Sequence, residues 1–302
     1  MKTIISQIFK FARQYSIFYW ILIALFLSIS IFCNEYFKII QAIKNMQPLY
    51  ALLTYWLLYT SSFIIPLIIW SFQTKSKWYK KASFWSLWNV GFLAYTVGSV
   101  WPIYGEIVEY FATPGYIGLS KIIFTDLVRF VFLIGILLIV WKVTKHPQTS
   151  FYGLTYKNLH TKLYFKMLLI MIPIIVVAGF TSDFLDYYPR AKKLEIYNPS
   201  TLHYILFETI YGMAFIYTEI FFRGFMIMAF AKYLGPQVII PTAVFYMAIH
   251  FGKPLAETIS SFFGGVLLGY LSYHTKNIWG GIIVHLGIAW MMEIVAEIGN
   301  HL

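Results

Sequence analysis

Hydrophobic residues run along this chain in continuous blocks rather than at alternating positions. The first block spans about 17–33. Others recur near 49–71, 83–104, 123–142, 164–181, 201–232, 237–251, 255–273 and 278–296. Crossing a hydrocarbon layer roughly 30 Å thick takes about 20 apolar residues in helical form. Transmembrane strands would instead show segments of about ten residues with alternating polarity. The pattern predicts an all-α fold: a polytopic helical membrane protein with about eight or nine transmembrane helices. The sixth block is longer than one crossing needs, so it is expected to tilt or to extend beyond the membrane. The seventh is short and is expected to cross only in part, or to begin below the membrane surface. No small-residue cleavage signal follows the first block, which reads as a retained span rather than a signal peptide.

Charge supports this picture. Only 12% of residues are charged, about half the share in a soluble domain. The net charge of +11 raises the question of nucleic acid, but the placement of the basic residues answers it. Lys2, Lys10 and Arg13 precede the first block, and Lys75, Lys77, Lys80 and Lys81 follow the second. Lys142, Lys145, Lys157, Lys162 and Lys166 flank the fourth connection, Lys232 follows the sixth block, and Lys276 separates the last two. The alternate connections hold Glu35, Glu106, Glu109, Asp183, Asp186, Glu195 and Glu257. By the positive-inside rule this predicts a cytoplasmic N-terminus. The basic excess reads as a topology signal and a contact with anionic membrane lipid, and no nucleic-acid partner is expected. The abundance of Ile, Lys, Phe and Tyr suggests a bacterial source, hence the plasma membrane. A single cysteine, Cys33, excludes an intramolecular disulfide and a cysteine-rich metal site, and it reads as a buried structural thiol.

Two polar segments organise the chain. The stretch from His146 to His160 is broken by Pro147 and Gly153. It divides an N-terminal four-helix membrane region, 1–145, from a C-terminal core, 150–296. The stretch from Asp183 to Ser200 is the longest connection on the predicted outer side.

Polar residues inside the apolar blocks are expensive and mark function. Within YTEIFFRGF, Glu219 and Arg223 lie four residues apart, one turn apart on one helix face, with the acid first as such pairs prefer. His250 ends the seventh block in VFYMAIHFGKP, and His285 lies inside the ninth in WGGIIVHLGIAW. A carboxylate and two imidazoles from three helices make the ligand set of a catalytic zinc, or equally a metal-free acid–base site. The soluble zinc-protease spacing HExxH is absent, so any such site is assembled by packing. Taken singly, these residues have plainer readings: a structural ion pair, and for His250 an interfacial anchor or an interhelical hydrogen bond. Gly264, Gly265 and Gly269 in SFFGGVLLGYL read as sites of close helix approach.

In order and placement these elements resemble the CPBP family of intramembrane proteases, also called the Abi or CAAX-protease-like family. The family motif EExxxR, usually followed by glycine, corresponds to TEIFFRG, residues 218–224. FxxxH corresponds to YMAIH, residues 246–250, and HxxxN or HxxxD to HLGIA, residues 285–289. YGLTYKNL (152–159) and GGVLLGYLSYHTKNIWGGIIVH (264–285) resemble flanking parts of the family core. The resemblance implies a metal-dependent intramembrane endopeptidase, with Zn2+ or another divalent metal as the cofactor and Glu219, His250 and His285 as its ligands. In active members the first glutamate and the FxxxH histidine activate water, while the last histidine and asparagine stabilise the oxyanion. The arginine and second glutamate hold the site together. Carried onto this chain, the catalytic set is Glu219, Arg223, His250 and His285.

Two family positions differ, since Thr218 replaces the water-activating glutamate and Ala289 the asparagine. A threonine hydroxyl is a poor base at neutral pH, and alanine offers no donor to an oxyanion, a loss of about 3 kcal/mol in the barrier. Glu208 lies three turns from Glu219, roughly 16 Å away, and Glu293 lies two turns beyond His285. Neither is a convincing substitute. Three functions follow from the sequence. One is a peptidase acting on a peptide or protein at the cytoplasmic side of the membrane. The second is a catalytically degenerate scaffold, regulator or immunity protein binding a membrane partner. The third is a small transporter whose buried charges line a substrate path.

Overall fold

The computed structural model describes residues 2–100, 103–144 and 150–301. The side chains of residues 2–5, 99, 100 and 103 are outside that description, as are Lys145, His146 and Pro147 of the predicted connection. The helices are α1 (Lys2–Ala12), α2 (Ile17–Phe37), α3 (Ile39–Lys44), α4 (Pro48–Thr74), α5 (Ala82–Val100), α6 (Ile103–Phe111) and α7 (Ile117–Val143). They continue with α8 (Thr161–Ala178), α9 (Ser182–Tyr187), α10 (Thr201–Glu219), α11 (Phe230–Leu234), α12 (Ile239–Ala248), α13 (Leu255–Thr275) and α14 (Trp279–Asn300). No strand occurs among the described residues, as the block pattern predicts.

Among the described residues, seven helical stretches are long and apolar enough to cross a membrane. One of them, Thr201–Ala248, has 48 residues, more than twice the length that one crossing needs. It contains the predicted sixth and seventh spans, with a break at Gly235 and Pro236, where Gly235 adopts φ 61°. Helix α5 occupies the predicted third span without being one of the seven. The predicted fourth span begins earlier, at Ile117. Between α10 and α11 the backbone widens into a π-helical stretch, Ile220–Ala229. Runs of π-helix are rare and frequently sit at functional sites.

The described chain forms two compact units. The first comprises residues 1–96 and 225–276, and the second residues 97–224 and 277–302. Both units draw on both halves of the chain.

In the first unit, α12 packs against α4 and α13. All ten of its residues, IIPTAVFYMA, are buried, as expected of a helix apolar on every face. Phe245 stacks on Phe92 at 4.8 Å between centroids and meets Tyr59 at 5.2 Å. Phe63 joins Phe92 and Phe230 to the same aromatic core. The glycines of α13 divide by direction. A Cβ on Gly265 would lie 3.1 Å from the Ala243 backbone, while one on Gly264 would meet nothing within 4 Å. Gly265 therefore serves the close α12–α13 approach and Gly264 does not, which corrects the grouped reading of the three. Cys33 is partly exposed, so the expectation of a buried structural thiol is also corrected: it lies on a helix with few buried positions.

In the second unit, α10 packs on α7 and α14, and α14 packs on α8. A Cβ on Gly212 would stand 3.2 Å from Leu286, so this glycine lets α10 and α14 approach closely. The connection from Asp183 to Ser200 is folded onto the helices. Leu194 packs with Leu119, Ile123, Phe207 and Ile210, and Phe184 and Tyr188 pack with Ile175, Met292 and Ala296.

Candidate functional site

At the end of α10 the helix carries a carboxylate into a space with no accessible surface. Glu219 is 0% exposed and Arg223, in the first turn of the π-helical stretch, 1%. Arg223 Nη1 lies 3.3 Å from Glu219 Oε1. His285, six residues into α14, brings Nδ1 to 3.0 Å from the same oxygen. A charge at such depth is tolerable only when paired, and Glu219 has a guanidinium and an imidazole on one oxygen. Its other oxygen, Oε2, faces the backbone of α14 at Gly281. Phe215, one turn before Glu219, meets the His285 ring edge-on at 4.7 Å between centroids. The imidazole is thus fixed by a hydrogen bond at Nδ1 and by an aromatic wall. Orientation of this kind by a carboxylate prepares the other ring nitrogen for proton transfer.

The two substituted family positions are also clear in the structure. The Thr218 hydroxyl donates to the carbonyl of Ala214 at 2.7 Å, a local bond that takes its only proton. Ala289 is buried and offers only a methyl group. Glu293 accepts the backbone N–H groups of Arg190, at 2.7 and 3.0 Å, and of Ala191, at 3.4 Å. Glu293 thus ties the 182–200 connection to α14.

His250 belongs to the first unit and has its own surroundings. It closes the turn after α12, with Nδ1 2.8 Å from the carbonyl oxygen of Tyr246 and its ring 4.6 Å from the Tyr246 ring. Its own carbonyl accepts the Thr258 hydroxyl at 2.8 Å, and its Nε2 lies 3.9 Å from Glu257 Oε1. The structure therefore brings Glu219, Arg223 and His285 together within one unit, while His250 lies in the other. Among the described residues, no group of three or more His, Cys, Asp or Glu is arranged to hold a metal ion. Within the second unit the two candidate ligands, Glu219 and His285, are hydrogen-bonded to each other through Oε1 and Nδ1. Two such ligands are fewer than the three protein ligands a catalytic zinc uses, and no step is derived through a metal.

One intramembrane pair escaped the sequence reading. Asp126 and Arg129 of α7 lie three residues apart and are joined at 3.0 Å, with roughly 30% of each side chain exposed. They sit near the middle of a 27-residue helix. The signal was available in FTDLVRF, whose two opposite charges at helical spacing interrupt an apolar run.

Neither a comparison with curated proteins nor one with solved structures returns a match. Residues 199–291 match the family model described as Type II CAAX prenyl endopeptidase Rce1-like. That interval contains TEIFFRG, YMAIH and HLGIA, the three motifs on which the resemblance rests. Over these residues, less than half of the chain, it is similar to the CPBP, or CAAX-protease-like, family of intramembrane proteins.

Proposed function

We propose that this protein is an intramembrane peptidase acting on a peptide or protein segment at the cytoplasmic side of the membrane, with a Glu219–His285 dyad in place of the family's water-activating glutamate. The observation that carries this reading is the 3.0 Å contact between His285 Nδ1 and Glu219 Oε1. A carboxylate accepting from Nδ1–H fixes the tautomer and leaves Nε2 as the nitrogen that takes a proton from water. The imidazolium so formed is stabilised by the same carboxylate. Arg223 lies beside that carboxylate, and its guanidinium balances the charge of an acid that is itself closed to solvent. The water attacks the scissile carbonyl, and the proton held on Nε2 passes to the leaving amine.

The second reading, a degenerate member that binds a membrane peptide without cutting it, is favoured by the Thr218 hydroxyl bonded to Ala214 and by the bare methyl of Ala289. One experiment separates the two. The purified full chain in liposomes is incubated with a library of quenched fluorescent peptides. Cleavage that falls at least a hundredfold in His285→Gln supports the dyad. Cleavage seen only after Thr218→Glu together with Ala289→Asn establishes the degenerate reading.

A further inference from the structure

The residues that hold the dyad extend beyond the dyad itself. Asn277, immediately before α14, is 1% exposed and uses both ends of its side chain. Its Nδ2 donates to the carbonyls of Thr155, at 2.5 Å, and Lys157, at 2.8 Å, while its Oδ1 accepts the Trp279 N–H at 2.8 Å. The next residue, Ile278, donates its N–H to Gly153 at 3.1 Å. Tyr156 stacks on Trp279 at 5.5 Å between centroids, with the rings 9° from parallel. The segment 153–157 is thus bolted to the first turn of α14.

Its other end is bolted to the stretch that carries Arg223. Tyr152 adopts a left-handed backbone with φ 44° and is fully buried. A Cβ on Gly224 would stand 2.8 Å from both the Cβ and the carbonyl oxygen of Tyr152. Gly224 follows Arg223 directly, and Gly281, which faces Glu219, lies one helical turn beyond Asn277. A continuous chain of contacts therefore runs from Arg223 through Gly224, Tyr152 and residues 153–157 to Asn277, and from there along α14 to His285. It joins the two helices by a route that bypasses the Glu219–His285 bond.

We infer that Asn277 and Tyr152 are positioning residues for the dyad. They set the spacing between the end of α10 and the start of α14 at which His285 Nδ1 meets Glu219. The inference rests on the dyad reading for its functional meaning, but its test reads the hydrogen bond and needs no substrate. In the full chain, selectively 15N-histidine-labelled and held in nanodiscs, His285 should give an exchange-protected Nδ1–H resonance, assigned by its absence in His285→Gln.

Asn277→Asp keeps the acceptor for Trp279 but turns two donated bonds into repulsions, so that resonance should vanish. Gly224→Ala strikes the route from its other end and should have the same effect, which decides the matter should the first variant not fold. Leu194→Ala, which opens a cavity elsewhere in the same unit, should lower the melting temperature and leave the resonance intact. A protected His285 signal persisting in Gly224→Ala or Asn277→Asp, while trypsin cleavage at Lys157 is accelerated, would overturn the inference. So would loss of the signal in Leu194→Ala. Absence of peptidase activity in the unaltered chain would leave this result standing and would fall on the functional proposal alone.

Discussion

The carboxylate of Glu219 occupies the space in front of Gly281, so closely that a Cβ on that glycine would lie 2.2 Å from Oε2. The acid reaches His285 because α14 has no side chain at this point. Gly281→Ala must push the carboxylate back into a site already filled by Arg223. Overpacking of this kind costs about 1–3 kcal/mol. The expected outcome is a lower melting temperature in detergent together with weaker coupling between Glu219 and His285. An unchanged melting temperature would mean that the carboxylate has another place to go.

Glu219 and Arg223 are both inaccessible, so their removal should be strongly non-additive. Taking away either partner leaves a charge buried without its counter-ion, a loss of about 3–5 kcal/mol. Removing both as Glu219→Leu with Arg223→Met replaces the pair by apolar groups of similar size. The double variant is expected to be more stable than Glu219→Leu alone, because the guanidinium is the group most costly to strand. Denaturant titration in mixed micelles gives the coupling energy as a double-mutant cycle. Strict additivity would show that the two side chains do not act as a pair.

The glycines of α13 give a prediction of opposite signs at neighbouring positions. Gly264→Ala places a methyl group in open space and removes a flexible residue from a helix, which stabilises by up to about 1 kcal/mol. Gly265→Ala drives its Cβ to 3.1 Å from Ala243, against backbone that cannot swing away as a side chain tip would. It should destabilise the first unit. Thermal unfolding of the two single variants tests both signs at once.

Much of this was legible in the sequence, for reasons particular to the residues. Continuous apolar blocks identify helices because in lipid every backbone polar group must be satisfied within the segment. Glu219 and Arg223 stood out because nothing else in YTEIFFRGF is charged. The partnership of Glu219 with His285 was expected only as part of a larger cluster, because packing rather than spacing decides which imidazole a carboxylate meets. The π-helical widening over Ile220–Ala229 left no trace, since a stretch whose one charged side chain is Arg223 has no polar face whose period might betray a wider turn. The contrast between Gly264 and Gly265 was equally hidden, because adjacent glycines differ only in the direction of a Cβ that neither possesses. Asp126 and Arg129 are legible in FTDLVRF as opposite charges three residues apart, a spacing that also suits an ordinary helix-surface pair.

The last prediction concerns Glu293, which the sequence offered as a spare acid near the site and which the structure engages elsewhere. Its carboxylate receives the N–H groups of Arg190 and Ala191 at the start of a 3-10 turn, Arg190–Tyr197. Glu293→Ala leaves both donors without an acceptor, a loss of about 1–3 kcal/mol for each group that stays buried. Leu194 and Phe184 still pack on the helices, so the connection should loosen without leaving. Trypsin should then cut more rapidly at Arg190, Lys192 and Lys193, while Glu293→Gln, which retains one acceptor oxygen, should fall between the parent and the alanine variant. If Glu293 instead served as the missing catalytic base, Glu293→Gln would abolish peptide cleavage with no change in the rate of trypsin attack. The three backbone contacts to its carboxylate argue for the first outcome, because an oxygen that already accepts these bonds is poorly placed to take a proton from water.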